Sequence, residues 1–377
     1  MHNALSMFEE RMSKDEFTFG LWEGPKVGPK QTPTYQTGAA LNIAYPEKQA
    51  SDAVKRAAHI DSPSRNSIIR ALQETLDKNY LHAIYKADVR EFFESIPHSI
   101  LLQHITTYPE LDSVTIQLVR RLLNEYQSMN GTSIGVPRGV GLSSHLAEIY
   151  LSKFDAKIKT QPGVLFYARY VDDIVIVLED GSHLSKMKEI VATELNALQL
   201  ELNSQKTIEI VTDAKGNYQQ GEEIEYLGYC FSRSAGSLTT GLTLKRKVRR
   251  TTRLNQALQA WLSTSPSTTD PNEGHNGLLV DRVRYLAGNT KLLNSKSNVA
   301  IGLYFSNSAL APDAIELAEL DNILQVFLKD HELKMPKKMR ERMNQISFVE
   351  MFASQTFFRF RQKRIEQIMS IWKRRSQ

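Results

Sequence analysis

"ARYVDDIVIV", residues 168–177, sets Asp172 and Asp173 side by side within a run that otherwise reads as two apolar strands. Carboxylates in such a setting must be solvated, paired or neutralised. In a strand–turn–strand hairpin both aspartates sit at the turn and project past the end of the sheet, while Val175 and Val177 face its interior. Taken alone, that arrangement is also an ordinary Asp-rich turn. A third carboxylate changes the reading, because Asp88 closes the apolar strand "HAIYKADV" just before the helix-like "REFFESIP". If the two strands are neighbours, Asp88 meets Asp172 and Asp173 at one sheet edge.

Three converging carboxylates with no compensating cation are strongly destabilising, and divalent metal resolves the conflict. Hard oxygen donors at this density suit Mg²⁺, with Mn²⁺ as a substitute. Two such ions stabilise the attacking and leaving oxygens of an in-line phosphoryl displacement.

The rest of the chain narrows the class. No apolar run among the 377 residues approaches the roughly 20 needed to span a bilayer, and "MHNALSMFEERMSKDEF" has no apolar signal-peptide centre. A cytoplasmic protein without a membrane partner is expected. The single Cys230 excludes an intramolecular disulfide and any CxxC-type zinc site. The net charge of +5 is unevenly spread: residues 334–377 hold twelve Lys or Arg against three Glu, which leaves the preceding residues net acidic. A second basic run, "KRKVRRTTR", packs Lys245, Arg246, Lys247, Arg249, Arg250 and Arg253 into residues 245–253. Such runs suit a polyanion, whose counterions they release, or else form a solvated helix face.

Residues 1–50, rich in Gly, Pro, Thr and Lys, read as loops and short extended pieces of an arm. Two helical patterns follow over 51–79, with Ser64 placed to cap the second. Residues 98–128 are helical in periodicity, "NGTSIGVPRGVGLSSH" is a Gly-rich loop feeding a helix, and another helix runs from about Leu184 to Leu198. "LELNSQKTIEIV" and "EIEYLGYCFS" are short strand-like pieces. Strands with hairpin signals alternating with helices predict an α+β fold, a mixed, mainly antiparallel sheet backed by helices. From Leu242 helical periodicity dominates, interrupted by a polar loop at 263–277.

The motifs together resemble the reverse transcriptases. "FYARYVDDIVIV" is similar to the family's YxDD hairpin and "YKADVREFFESI" to the preceding strand with its first catalytic Asp. "GVPRGVGLSSHLAEIYL" resembles the Gly-rich loop and helix, "LELNSQKT" the next motif and "EYLGY" the primer-grip hairpin. The resemblance covers roughly 85–230 and implies a right-hand polymerase: arm and fingers over 1–84, a palm over 85–235 with an inserted helical fingers segment at about 98–135, and an all-helical thumb and basic extension over 236–377. It assigns Asp88, Asp172 and Asp173 as metal ligands, with the Val89 carbonyl as a further one. Lys206 becomes the cation facing departing pyrophosphate, and Phe93 the ring that blocks a ribose 2′-hydroxyl, with Phe92 as the alternative inward ring. Arg65 and Arg70 become a clamp on the incoming triphosphate, Arg138 and Gly139 part of the nucleotide and template side, and the 245–253 run a grip on nucleic acid.

Arg138 departs from the pattern, since many members carry Gln there; this variant resembles the prokaryotic branch linked to abortive infection and antiphage defence, and "RNSIIRALQETL" with the C-terminal "MRERMNQISFVEMFASQTFFRFRQKRIEQIMSIWKRR" resembles defence-associated members, the shorter subunit of a two-polymerase system. No RNase H or endonuclease pattern follows residue 242. The implied partners are deoxynucleotides, an RNA template or scaffold such as a non-coding RNA, the DNA product, and a second reverse-transcriptase subunit or further copies of the chain. Three functions stay open: RNA-directed DNA synthesis in defence, with a retron or group II intron-type enzyme as its near relative; template-independent or protein-primed DNA synthesis on the same fold; and a non-catalytic nucleic-acid-binding subunit.

Overall fold

The computed structural model describes residues 17–27, 32–39, 41–60, 63–263, 276–291 and 300–373. The start of the expected arm and nearly all of the polar loop at 263–277 lie outside the described residues. The chain divides into two compact units, Met1–Ile68 with Lys78–Gln219, and Ile69–Asp77 with Gln220–Gln377.

The first unit opens with an antiparallel hairpin of β1 (Trp22–Val27) and β2 (Thr32–Gln36) and the helix α1 (Leu41–Ala57). The helix starts inside the stretch expected to be loop, because Pro46 lies in its first half and masks the helical pattern. α2 (Arg65–Leu76) crosses the boundary between the units and is capped by Ser64, whose Oγ accepts from the Ser67 N–H at 3.1 Å. After β3 (Ala83–Asp88) come the short α3 (Phe92–Ser95), α4 (His98–Ile105), α5 (Ser113–Asn130) and α6 (Gly141–Lys159). The expected helical stretch at 98–128 is thus two helices, divided where Asp112 accepts from the Thr115 N–H and starts α5. β4 (Val164–Tyr170), β5 (Asp173–Leu178), α7 (Leu184–Ala197) and β6 (Ile208–Val211) complete the unit.

Four of these strands form one antiparallel sheet in the order β4-β5-β3-β6. The two central strands are buried along almost their whole length, Lys86 and Asp88 of β3 included, and β5 reads "IVIVL" without alternation. Ile174, Ile176 and Leu178 join Tyr85 and Ala87 in one core with Leu146 and Tyr150 of α6 and Val191 and Leu195 of α7. The helices that follow each strand therefore brace the sheet that carries the aspartates.

The second unit contains β7 (Ile224–Tyr226), β8 (Tyr229–Ser234) and β9 (Ser237–Leu242) in an antiparallel sheet, then α8 (Leu244–Leu262), α9 (Asn276–Ala287), the antiparallel pair β10 (Asn289–Lys291) and β11 (Ala300–Gly302), and α10 (Ile315–Asp330), α11 (Lys337–Asn344), α12 (Phe348–Ala353) and α13 (Gln362–Lys373). The expectation of an all-helical region from 236 onward is corrected here. Ala235 and Gly236 both have positive φ, 50° and 76°, which makes the two-residue hairpin turn that returns the chain as β9. The hairpin likened to a primer grip also lies in this unit, whose main segment starts at Gln220, before the expected palm boundary at 235. No described helix is long and apolar enough to cross a membrane.

Candidate active site

Pairing of β3 with β5 sets Asp88 opposite Asp173, and pairing of β4 with β5 sets Tyr170 opposite Asp173. Val171 and Asp172 are then the two-residue turn, and Asp173 is the first residue of β5. The turn is strained: Val171 has φ 61°, a conformation that β-branched residues rarely adopt. What holds it is Arg169, whose side chain is only 3% exposed. Its Nη1 donates to the Val171 carbonyl at 2.9 Å, and its guanidinium also binds Asp155 at 2.7 and 2.8 Å and Glu148 at 2.7 Å. Burial alone would lower the Arg169 pKa, but its hydrogen bonds and charge contacts with Asp155 and Glu148 outweigh that and raise it. On the other side, the Val89 N–H donates to the Asp172 carbonyl at 3.0 Å, tying the turn to the end of β3.

The carboxylates are not left without cations, as the sequence alone implied. Lys206 Nζ lies 2.7 and 2.9 Å from the two oxygens of Asp88, and Lys86 Nζ lies 3.4 Å from Asp173 Oδ1. Asn203 adds backbone and side-chain contacts to Asp88, its N–H donating to the Asp88 carbonyl at 2.8 Å. Burial, followed by the charges of Asp88 and Asp173, pushes the Asp172 pKa up. Burial also raises that of Asp173, partly offset by Lys86. Burial would lower Lys206, but Asp88 and the two other aspartates raise it overall.

A cavity of about 880 Å³ opens at this edge. Asp88, Val89, Asp172 and Lys206 line it, together with Arg138, Glu94 and the tip of β2. Glu94 was not singled out from the sequence, yet it receives Arg138 in a two-point ion pair, Nε and Nη2 each at 2.9 Å. The guanidinium also lies 4.9 Å above the Phe93 ring. That pair raises the Arg138 pKa, chiefly through the Glu94 hydrogen bonds. Phe93 is itself 9% exposed and Phe92 1%, so both rings pack inward, and Phe93 faces the cavity only through the arginine above it. Gly139 has φ 101° and sits against the Tyr35 carbonyl, where a Cβ would collide, so that β2 receives the Arg138 loop through the Tyr35 N–H at 2.7 Å.

Asp173 backs the cavity without lining it, and Arg65 and Arg70, on α2, do not line it either. Of the basic run, Arg246, Arg249, Arg250 and Arg253 gather at a recess in the second unit, whereas Lys245 is exposed and Lys247 pairs with Glu316 at 3.2 Å. Part of the C-terminal basic run is spent internally, with Arg364 on Asp281 at 2.7 Å and Arg340 on Glu332 at 2.7 Å.

Among the described residues no group of three or more His, Cys, Asp or Glu is gathered as a metal cage stands when filled. The donor set nonetheless fits a divalent cation: hard carboxylate oxygens at the mouth of a polar cavity, ionised at a cost that lysines now offset. Asp88, Asp172 and Asp173, with the Val89 carbonyl, are the residues that would hold it.

Residues 46–231 match the family described as reverse transcriptase (RNA-dependent DNA polymerase). Enzymes of that family are RNA-directed DNA polymerases, which are nucleotidyltransferases, and their domains generally use divalent metal ions. Solved structures similar to the chain include telomerase from Candida tropicalis in complex with a fragment of telomeric RNA, at 14% identity and a TM-score of 0.44, covering 98% of this chain and 67% of that one. The apo telomerase from Candida tropicalis is similar at 14% identity and a TM-score of 0.42, over 88% and 56% of the two chains. Telomerase from Candida albicans, also with a telomeric RNA fragment, is similar at 13% identity and a TM-score of 0.39, over 88% and 57%. The chain spans little more than half the length of the last two. No curated protein sequence matches it.

Proposed function

We propose that the chain adds deoxynucleotides to a primer on an RNA template by two-metal-ion phosphoryl transfer. The observation that carries this is the register of the central sheet, which sets Asp88 against Asp173 with Asp172 in the adjoining turn, at the mouth of the 880 Å³ cavity. Two Mg²⁺ ions, when bound, supply charge neutralisation for the triphosphate and activation of the primer hydroxyl. For Asp88 to serve as a ligand, Lys206 leaves its two oxygens, which frees the ammonium to face the pyrophosphate as it departs. Arg138, oriented by Glu94 and by the Phe93 ring, presents a fixed cation to the nucleotide or template base. The preference for deoxynucleotides rests on the motif resemblance at Phe93, and the role in antiphage defence with a cognate non-coding RNA on Arg138 in place of Gln.

The test is extension of a DNA primer on a defined RNA, followed by sequencing of the product. The wild-type chain yields DNA complementary to the RNA, and the Asp172→Ala/Asp173→Ala variant yields none. Extension by that variant overturns the proposal, and a product unrelated to the RNA favours template-independent synthesis.

A further inference from the structure

The second unit holds a recess of about 360 Å³ whose lining shares no residue with the carboxylate cavity. Arg246, Arg249, Arg250 and Arg253 stand at i, i+3, i+4 and i+7 of α8, one stripe of a helix rising about 10 Å. Among the described residues no carboxylate lines the recess. The arginines are held by other means. Arg246 lies 5.7 Å over the Tyr229 ring, and its Nη1 reaches the fully buried Asn307 Oδ1 at 3.4 Å. Arg253 lies 5.7 Å over the Trp372 ring, which stacks in turn on Tyr285. Burial and the charges of the three other arginines push Arg250 down to about 10, the mark of a cationic cluster that gains by receiving an anion.

Leu286, Ile301 and Leu303 also line the recess, with Tyr285, and with Thr290 and Asn307 as polar points. A duplex is too wide for such a volume, whereas ligand recesses start at roughly 300 Å³. A lining that combines a guanidinium stripe with apolar side chains matches the two halves of a nucleotide, phosphate and base.

We infer that this recess is a second nucleotide site, taking the phosphate of a nucleoside phosphate on the α8 arginines and its base against Leu286, Ile301 and Leu303. The ligand is either a free nucleotide or the unstacked terminal nucleotide of a single strand. The site is independent of polymerase turnover, so its test is binding without metal.

The full chain in EDTA is titrated calorimetrically with AMP, with adenosine, and with a short single-stranded RNA carrying either a 5′-phosphate or a 5′-hydroxyl. AMP binds, and adenosine binds at least about tenfold more weakly, since each charge-assisted hydrogen bond carries an effect of that order. The Arg250→Gln/Arg253→Gln variant loses about tenfold or more in AMP affinity at an unchanged melting temperature, and the exposed Arg249→Gln, which leaves the fold intact, weakens binding in the same direction. Asp172→Asn binds AMP as the wild type does, which separates this site from the palm. Phosphorylated RNA binding more tightly than AMP identifies a strand end as the ligand; AMP binding alone identifies a free nucleotide. Equal affinity for AMP and adenosine, absence of binding to every probe, or full affinity in both arginine variants overturns the inference.

Discussion

Two clusters of like charge sit in this chain, and their surroundings differ. At the β3–β5 edge each aspartate pairing is met by a lysine, Lys206 on Asp88 and Lys86 on Asp173. At the α8 recess Arg246 rests on an aromatic ring and a buried amide and Arg253 on another ring, and among the described residues no carboxylate lines the space. A cluster balanced in part by the exposed Lys206 ammonium can exchange it for a stronger cation without reorganising the sheet. A cluster of arginines of which two lie over aromatic rings is instead held in place on its helix, and an added anion meets it there. The comparison predicts opposite responses to mutation and to added ions.

The largest effect falls on chemistry. Asp172→Asn lowers primer extension by roughly 10³-fold or more, because it removes a carboxylate that would hold the metal at which charge develops in the transition state; circular dichroism remains that of the wild type, and the metal-free melting temperature at neutral pH rises, since a buried carboxylate with a raised pKa is replaced by a neutral amide. Arg169→Met acts through stability instead. It leaves Glu148 and Asp155 without their shared guanidinium and costs roughly 3–5 kcal/mol in urea unfolding. Arg253→Gln in the other cluster leaves stability unchanged or raises it, since a mutual repulsion is relieved; a loss as large as that of Arg169→Met would break the comparison.

Lys206→Ala slows single-turnover incorporation by about 10- to 100-fold, within the range of a positioned acid or cation, while divalent-ion affinity rises because its competitor on Asp88 is gone. Glu94→Gln loosens Arg138 and raises the KM for the incoming nucleotide by about tenfold, with a smaller change in kcat. The smallest effect is on pH dependence. Asp172 and Asp173 have pKa values raised above the ordinary carboxylate value, so the folded chain binds protons there more tightly than the unfolded chain. Metal-free stability therefore rises as pH falls from neutrality through the raised range, and levels off below the ordinary carboxylate value. Denaturant midpoints measured in EDTA across that range show the slope, and Asp172→Asn/Asp173→Asn flattens it.

The hairpin was legible in the sequence because paired aspartates interrupt apolar strands, and because "HAIYKADV" supplies a third carboxylate at a strand end. Periodicity also gave α5 to α7. The residues that tension the site were not legible. Arg169 reads as one cation in a strand, and only the fold brings Asp155 and Glu148 of α6 to it. Glu94 and Arg138 meet through a loop whose N–H groups are pinned on α3. Lys86 and Lys206 compensate the aspartates through register, which local pattern does not encode. The strands β9 to β11 were missed for a different reason: β10 and β11 have three residues each, and the turn at Ala235–Gly236 that leads into β9 was absorbed into a region whose apolar spacing is otherwise helical.

The central claim is that the β3–β5 edge holds its carboxylates for divalent cations. Binding of Mn²⁺ followed by electron paramagnetic resonance, on the wild-type chain and on Asp88→Asn/Asp172→Asn, tests it most directly. The account predicts saturable binding by the wild type, competed by Mg²⁺, and its loss in the double variant. Mn²⁺ binding of equal strength in both proteins would contradict it.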